Sequence, residues 1–178
     1  MARVDDGTRD ELRKAWLDHK VLVLRDQHIT TEEHIAFGRL FGDLEVHPFT
    51  DDDGEHPEIV VLHADGENRF VASGWHSDVT WREEPSMGSI LRGVIIPPAG
   101  GDTCFADATA AYGRLPEEWK DRLDGLVAVH AYRRVFGRRI PEGEEEAMRE
   151  KYPLARHPVI RTHPDTGAKA IYTNIGFT

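Results

Sequence analysis

The sequence has a single cysteine, Cys104, so no disulfide can form within the chain and a disulfide-stapled extracellular framework is excluded. Long apolar runs are also missing. The longest candidates, Val21–Leu24, Ile59–Leu62 and Val94–Ile96, have the length of strands and fall far short of a membrane span, so no membrane partner is expected. Met1 is followed by Ala-Arg-Val-Asp-Asp, without the apolar segment of a secretory signal. These absences together make the cytoplasm the expected compartment. Positive charge is scarce: 22 Lys and Arg stand against 32 Asp and Glu, a formal net charge of −10. A phosphate backbone needs a concentrated basic footprint, so nucleic acid is not an expected partner. The nearest approach to a basic patch, Arg133, Arg134, Arg138 and Arg139, is followed at once by Glu142, Glu144, Glu145 and Glu146, and reads as a salt-bridged surface around a helix start. No G-x-G-x-x-G, Walker, G-x-S-x-G or H-E-x-x-H motif occurs.

At 178 residues the chain fits one domain with a real core. Thr8 with Glu11, and Thr30 with Glu33, have capping-box spacing, each ahead of apolar residues at helical intervals. They predict helices to about Lys20 and to a glycine cap at Gly42. Strands are expected at Val21–Leu24, Leu44–Val46, Ile59–Leu62, Trp75–Trp81, Ser89–Ile96, Thr103–Phe105, Leu126–Ala131, Val159–Arg161 and Lys169–Tyr172, with short helices at Ala108–Tyr112, Pro116–Leu123 and Glu144–Lys151. Helices clustered at the start and in inserts do not suit repeated βαβ units. The fold class expected is mainly β with helices, an antiparallel sandwich or jelly roll.

Three H-x-D triplets occur. His63-Ala64-Asp65 runs into Gly66-Glu67-Asn68 and reads as a solvated loop; the acidic run Asp51-Asp52-Asp53 nearby lacks the ligand spacing of a calcium loop. His163-Pro164-Asp165-Thr166-Gly167 is turn chemistry between two strands, where the Asp is expected to bond its own backbone. His76-Ser77-Asp78 is different, because it sits among Trp75, Val79, Thr80 and Trp81, residues that favour a pleated, half-buried surface. On a strand, residues i and i+2 share a face, so an imidazole and a carboxylate there could converge on a divalent metal. The same pair could equally be a His–Asp hydrogen bond on a sheet.

Four segments taken together narrow this choice: Trp75-His76-Ser77-Asp78-Val79-Thr80, Gly100-Gly101-Asp102-Thr103, His157-Pro158-Val159-Ile160-Arg161-Thr162-His163-Pro164 and Asn174-Ile175-Gly176-Phe177-Thr178. In this order they resemble the TauD/TfdA family of Fe(II)/2-oxoglutarate-dependent dioxygenases, from about Val21 to the last residue. The resemblance implies a double-stranded β-helix, a jelly-roll form, holding Fe(II) with two His and one carboxylate. His76 and Asp78 match the first two metal ligands. Thr103 matches a hydroxyl that contacts 2-oxoglutarate, the co-substrate. His47, Phe136 and Phe177 match residues of the substrate pocket. The implied partners are a small anionic organic substrate and dioxygen, and homo-oligomerisation stays open.

Two departures from the family pattern bear on substrate. Ala72 stands where taurine-specific members have Asn, and Thr50 where they have Tyr, so a larger or more apolar sulfonate, an alkyl sulfate or another carboxylate fits as well as taurine. The family's distal His and its anion-pairing Arg residues would lie beyond Thr178. Residues 1–178 are therefore expected to form a single partial dioxygenase catalytic domain, a jelly roll incomplete at its C-terminal side, and neither His130 nor His157 matches the distal ligand. A non-catalytic β-sandwich that binds an anion or a partner, and a structural metal protein, are the alternatives.

Overall fold

The computed structural model describes residues 4–50, 54–64 and 74–178. Asp51-Asp52-Asp53, Asp65 and Ala72 lie outside the described residues. The chain divides into two compact units, one formed by Met1–Val61 with Gly88–Phe105 and the other by Leu62–Met87 with Ala106–Thr178.

The first unit is built on two helices. Helix α1 spans Asp6–His19, and its N-cap is Asp5, whose carboxylate accepts from the Thr8 N–H, in place of the expected Thr8 cap. It ends at Lys20 in the left-handed region (φ 67°). Helix α2 spans Thr31–Arg39 and has the expected capping box, with Thr30 and Glu33 exchanging side-chain bonds to each other's backbone N–H. Its C-cap is Leu40 rather than Gly42. Phe41 lies edge-on to both Phe37, at 5.4 Å between ring centres, and Trp16, at 6.5 Å. The segments expected as strands at Val21–Leu24, Leu44–Val46, Ser89–Ile96 and Thr103–Phe105 form no ladder, and of Ile59–Leu62 only Val60 makes an isolated bridge. Strand identity depends on a paired neighbour, which local alternation cannot supply. The 89–96 segment is instead tied by side-chain bonds: the Arg92 guanidinium donates to the Ile29 carbonyl (2.8 Å), and the His34 ring to the Ile90 carbonyl (3.0 Å).

The second unit carries the regular strands. Helix α3 (Ala108–Gly113), capped by Asp107, and helix α4 (Glu117–Leu123) lead into strand β1 (Val127–His130). Helix α5 (Arg133–Phe136) with a 3-10 turn at Gly137–Arg139, then helix α6 (Glu145–Lys151), precede strand β2 (Ala155–Pro158). β1 and β2 pair antiparallel, with Ala128 opposite His157 and His130 opposite Ala155. Strands β3 (Ile160–Thr162) and β4 (Lys169–Ile171) form a second antiparallel pair, and α3 packs against β4. The turn between β3 and β4 falls where expected, but the His163 imidazole closes it, accepting from the N–H groups of Asp165 and Thr166. The described residues thus hold two two-stranded sheets among six α-helices, a more helical picture than the mainly β class expected. No helix among them is long and apolar enough to cross a membrane.

The core of the second unit is aromatic. Trp81, 1% exposed, meets Tyr132 and Tyr152 edge-on at 6.0 and 5.2 Å, and the Arg82 guanidinium covers both Trp81 and Tyr152. Such pairs add a specific geometric preference to the area they bury.

In the first unit Gly88 is fixed by sterics, because a Cβ there would fall 2.5 Å from the Trp16 ring. Gly88→Ala is expected to lower stability by about 1–3 kcal/mol through overpacking, read as a reduced urea midpoint with an unchanged m-value; an unchanged midpoint would show that Trp16 is not held there.

Candidate metal centre

The H-x-D segment is not the strand expected: His76 and Ser77 belong to no regular element, and Asp78 opens a turn over residues 78–81. Behind it the Arg82 N–H bonds to the Val79 carbonyl at 3.0 Å, and Val79 has a left-handed φ of 45°. The two groups converge all the same: His76 Nε2 lies 3.2 Å from Asp78 Oδ1. Both side chains are reachable, at 35% and 65% exposure.

The tautomer of His76 follows from its other nitrogen. Nδ1 lies 2.7 Å from the Gly74 carbonyl, which can only accept, so Nδ1 carries the proton. In the neutral ring Nε2 then aims a lone pair at a carboxylate oxygen. Two acceptors held this close need a proton or a cation between them, and an imidazole whose second nitrogen is fixed by a carbonyl is the usual arrangement of a metal-binding His. Among the described residues no group of three His, Cys, Asp or Glu is gathered, so this face offers two ligands.

The turn is held from behind by residues that the sequence reading left unassigned. Alternation along β1 and β2 buries Ala128, His130, Ala155 and His157 while their neighbours face out. His157 Nε2 lies 2.9 Å from both the Thr80 and the Arg82 carbonyls, so its N–H is shared between the third residue of the turn and the residue that follows it. His130 Nδ1 lies 2.9 Å from Thr80 Oγ1, and neither residue has any exposed surface. Asn174 Nδ2 donates to the same hydroxyl at 3.2 Å. The Tyr172 ring stacks on His130 and meets His157 edge-on. A lone His on the buried face of a short alternating strand, two residues after an Ala, was the signal available for His130 and His157.

The other expected site residues are placed as follows. Phe136, half-buried, and Phe177, 4% exposed, form a tilted pair 6.0 Å apart in the second unit. His47 belongs to the first unit, half-buried and edge-on to Phe49, with its Nδ1 accepting from the Phe49 N–H at 3.3 Å. Thr103 also belongs to the first unit, exposed and outside any helix or strand, and Thr50 is half-buried there. In the segment expected as a salt-bridged surface, Glu146 pairs with Arg149 (3.6 Å) and Glu145 accepts from the Gly143 N–H, while among the described residues Arg133, Arg134 and Arg138 line a crevice without an acidic partner.

The family model described as "Taurine catabolism dioxygenase TauD, TfdA family" matches residues 1–178. The (S)-phenoxypropionate/alpha-ketoglutarate-dioxygenase of Sphingobium herbicidovorans is 31% identical, over 96% of this chain and 63% of its own length. An alkylsulfatase of Acinetobacter baylyi is 36% identical, over 96% of this chain and 56% of its own. The crystal structure of a taurine dioxygenase from Burkholderia xenovorans superposes with a TM-score of 0.77 at 34% identity, covering 98% of this chain and 56% of that one. The chain thus spans between 56% and 63% of the length of these relatives.

Burial holds the His130 imidazole below its ordinary value of 6.5, His157 acts in the same direction, and a hydrogen bond to the Tyr172 backbone opposes them. With the folded value depressed, the unfolded chain takes up the proton first. The stability that neutral His130 contributes is present above pH 6.5 and is lost as pH falls through the lower folded value. Urea midpoints measured from about pH 7.5 down to about pH 5 should therefore decline, and His130→Gln should flatten that decline; an equal slope in both proteins would assign it elsewhere.

Proposed function

This chain belongs to the taurine catabolism dioxygenase TauD/TfdA family, and from that membership we propose that it is the catalytic part of an Fe(II)- and 2-oxoglutarate-dependent dioxygenase that hydroxylates a small organic anion. The observation that carries the reading is the 3.2 Å approach of His76 Nε2 to Asp78 Oδ1, with the imidazole oriented by Gly74. A neutral nitrogen and a carboxylate oxygen suit Fe(II), and two protein ligands from one short segment leave coordination positions for further groups. The fold is read as the double-stranded β-helix of the family, in a single catalytic domain. The lone, exposed Cys104 supports a cytoplasmic, reducing location.

Roles for the chain's own residues follow. His76 would hold the metal through Nε2 and Asp78 through Oδ1. The hydroxyl of Thr103 would donate to a carboxylate of 2-oxoglutarate. Phe136 and Phe177 would wall the apolar part of the substrate, and His47 would donate to its anionic head: with Nδ1 accepting from Phe49, the neutral ring carries its proton on Nε2. Bound iron with 2-oxoglutarate supplies the coupling of oxidative decarboxylation to C–H hydroxylation, one atom of dioxygen entering succinate and the other the substrate. The protein's part is to orient the ligands and aim one C–H bond at that centre.

The substrate is read as a small sulfonate-like acid. The relatives' names span a phenoxypropionate, an alkyl sulfate and taurine, each carrying an anionic head group. Thr50 and Ala72, in place of the Tyr and Asn of taurine-specific members, favour an anion less polar than taurine.

The test uses the full-length protein. Anaerobic Fe(II) and 2-oxoglutarate should give a visible charge-transfer band, and aerobic succinate formation should rise with an alkyl sulfonate, an alkyl sulfate or a phenoxypropionate more than with taurine. His76→Ala and Asp78→Ala should each abolish both signals. Turnover that survives either substitution would remove the metal assignment, and turnover with taurine alone would overturn the substrate reading.

A further inference from the structure

The segment Asn174-Ile175-Gly176-Phe177-Thr178 forms a closed loop packed against the H-x-D segment. Asn174 Oδ1 accepts from the N–H groups of Gly176 (3.1 Å) and Phe177 (2.8 Å), and Thr178 closes the loop by bonding back to Asn174 through both its hydroxyl and its N–H. The Ala131 N–H, just past β1, donates to the Phe177 carbonyl at 2.8 Å and anchors the loop. From this base the loop reaches the candidate ligands at two points. A Cβ on Gly176 would stand 3.3 Å from Asn174 Oδ1, 3.5 Å from Val135 and 4.0 Å from the His76 Cβ, so the loop backbone runs close to the base of the His76 side chain. A Cβ on Gly74 would stand 3.2 Å from Ile175, so the loop also abuts the residue whose carbonyl orients His76.

Hydrogen bonding links the same loop to the far side of Asp78. Thr80 Oγ1 accepts from Asn174 Nδ2 at 3.2 Å and lies 2.9 Å from His130 Nδ1, so one hydroxyl joins the two side chains. The Asn174–Thr80–His130 chain sits inside a site where Thr80 and His130 are wholly buried. A hydrogen bond in such surroundings is expensive to leave unmade.

We propose that the 174–178 loop is a clamp that sets the spacing of His76 and Asp78, acting through the Asn174–Thr80–His130 chain on one side and through Gly176 and Ile175 on the other. Asn174, Thr80 and His130 are positioning residues: they touch neither metal nor substrate, and they hold the two groups that would. The inference rests on the metal reading given above. It extends that reading by naming residues whose loss weakens metal binding without removing a ligand.

Mn(II) alone is the probe, titrated into the full-length protein and followed by the loss of the free-ion electron paramagnetic resonance signal, with folding checked by circular dichroism. Thr80→Val keeps the volume and removes the hydroxyl; Mn(II) affinity should fall about 10-fold or more, the loss typical of groups that support metal ligands. Thr80→Ser restores the hydroxyl and should recover most of that affinity. A folded Thr80→Val protein that binds Mn(II) as tightly as the parent would overturn the clamp, and so would a Thr80→Ser protein as weak as Thr80→Val, which would assign the effect to the methyl group. Should Thr80→Val not fold, Asn174→Ala at the half-buried end of the chain decides instead: weakened Mn(II) binding supports the clamp and undiminished binding overturns it. Failure of the parent protein to take up Mn(II) removes the metal reading and the clamp with it, an outcome distinct from parent binding that the substitutions leave untouched.

Discussion

The shared hydrogen bond from His157 Nε2 to the carbonyls of Thr80 and Arg82 is the constraint on which the candidate centre depends. It pins a turn that the local sequence would not choose, since Val79 adopts a left-handed conformation. A β-branched residue in that region costs on the order of 1–3 kcal/mol and persists only where its surroundings over-determine it. Here they do. Val79 is 4% exposed, Trp81 beside it 1%, and the backbone on both sides of the aromatic core is held by one buried imidazole. Strain of this kind gathers where geometry matters to function, and here it lies beside the His76–Asp78 pair.

The small sheet of β1 and β2 explains how two histidines come to sit under that turn. Alternation sends Ala128, His130, Ala155 and His157 to one face, and the antiparallel register sets each His opposite an Ala. The small residues leave room for the rings, which meet edge-on with 5.0 Å between centres. Apolar residues at those positions would fill the same space without a donor for the Thr80 and Arg82 carbonyls or a partner for the Thr80 hydroxyl. A paired polar network fixes one arrangement where apolar packing tolerates several.

Helix ends, hairpin turns and the H-x-D pair were legible in the sequence because each rests on chemistry within a few residues. The Thr30–Glu33 capping box and the Pro-Asp-Thr-Gly turn after His163 are of this kind. The first-unit strands were not legible, since alternation at Ser89–Ile96 or Thr103–Phe105 says nothing of whether a neighbour is there to pair. The α1 cap shifted from Thr8 to Asp5 because both have the right chemistry and a helix needs only one. His76 and Asp78 were found as neighbours i and i+2 of an expected strand, and they do converge, although no strand forms there. Thr80, Asn174, His130 and His157 escaped because their partners lie 48 to 94 residues away in sequence.

Electrostatics bring the acidic composition and the anionic substrate proposed above into agreement. A formal net charge of −10 repels an anion at long range, yet at physiological salt that field is screened beyond about 8 Å. Within that distance the local groups decide. A divalent cation held by one neutral imidazole and one carboxylate keeps a net charge near +1, enough to attract a carboxylate or sulfonate in a partly desolvated site. Helix α5 and the turn after it set Phe136 in the same short segment as Arg133, Arg134 and Arg138, which have no acidic partner among the described residues. An aromatic ring and cations carried so close together in the chain would suit the proposed substrate's apolar body and negative head, the chemistry shared by the phenoxypropionate and alkyl sulfate named in the relatives.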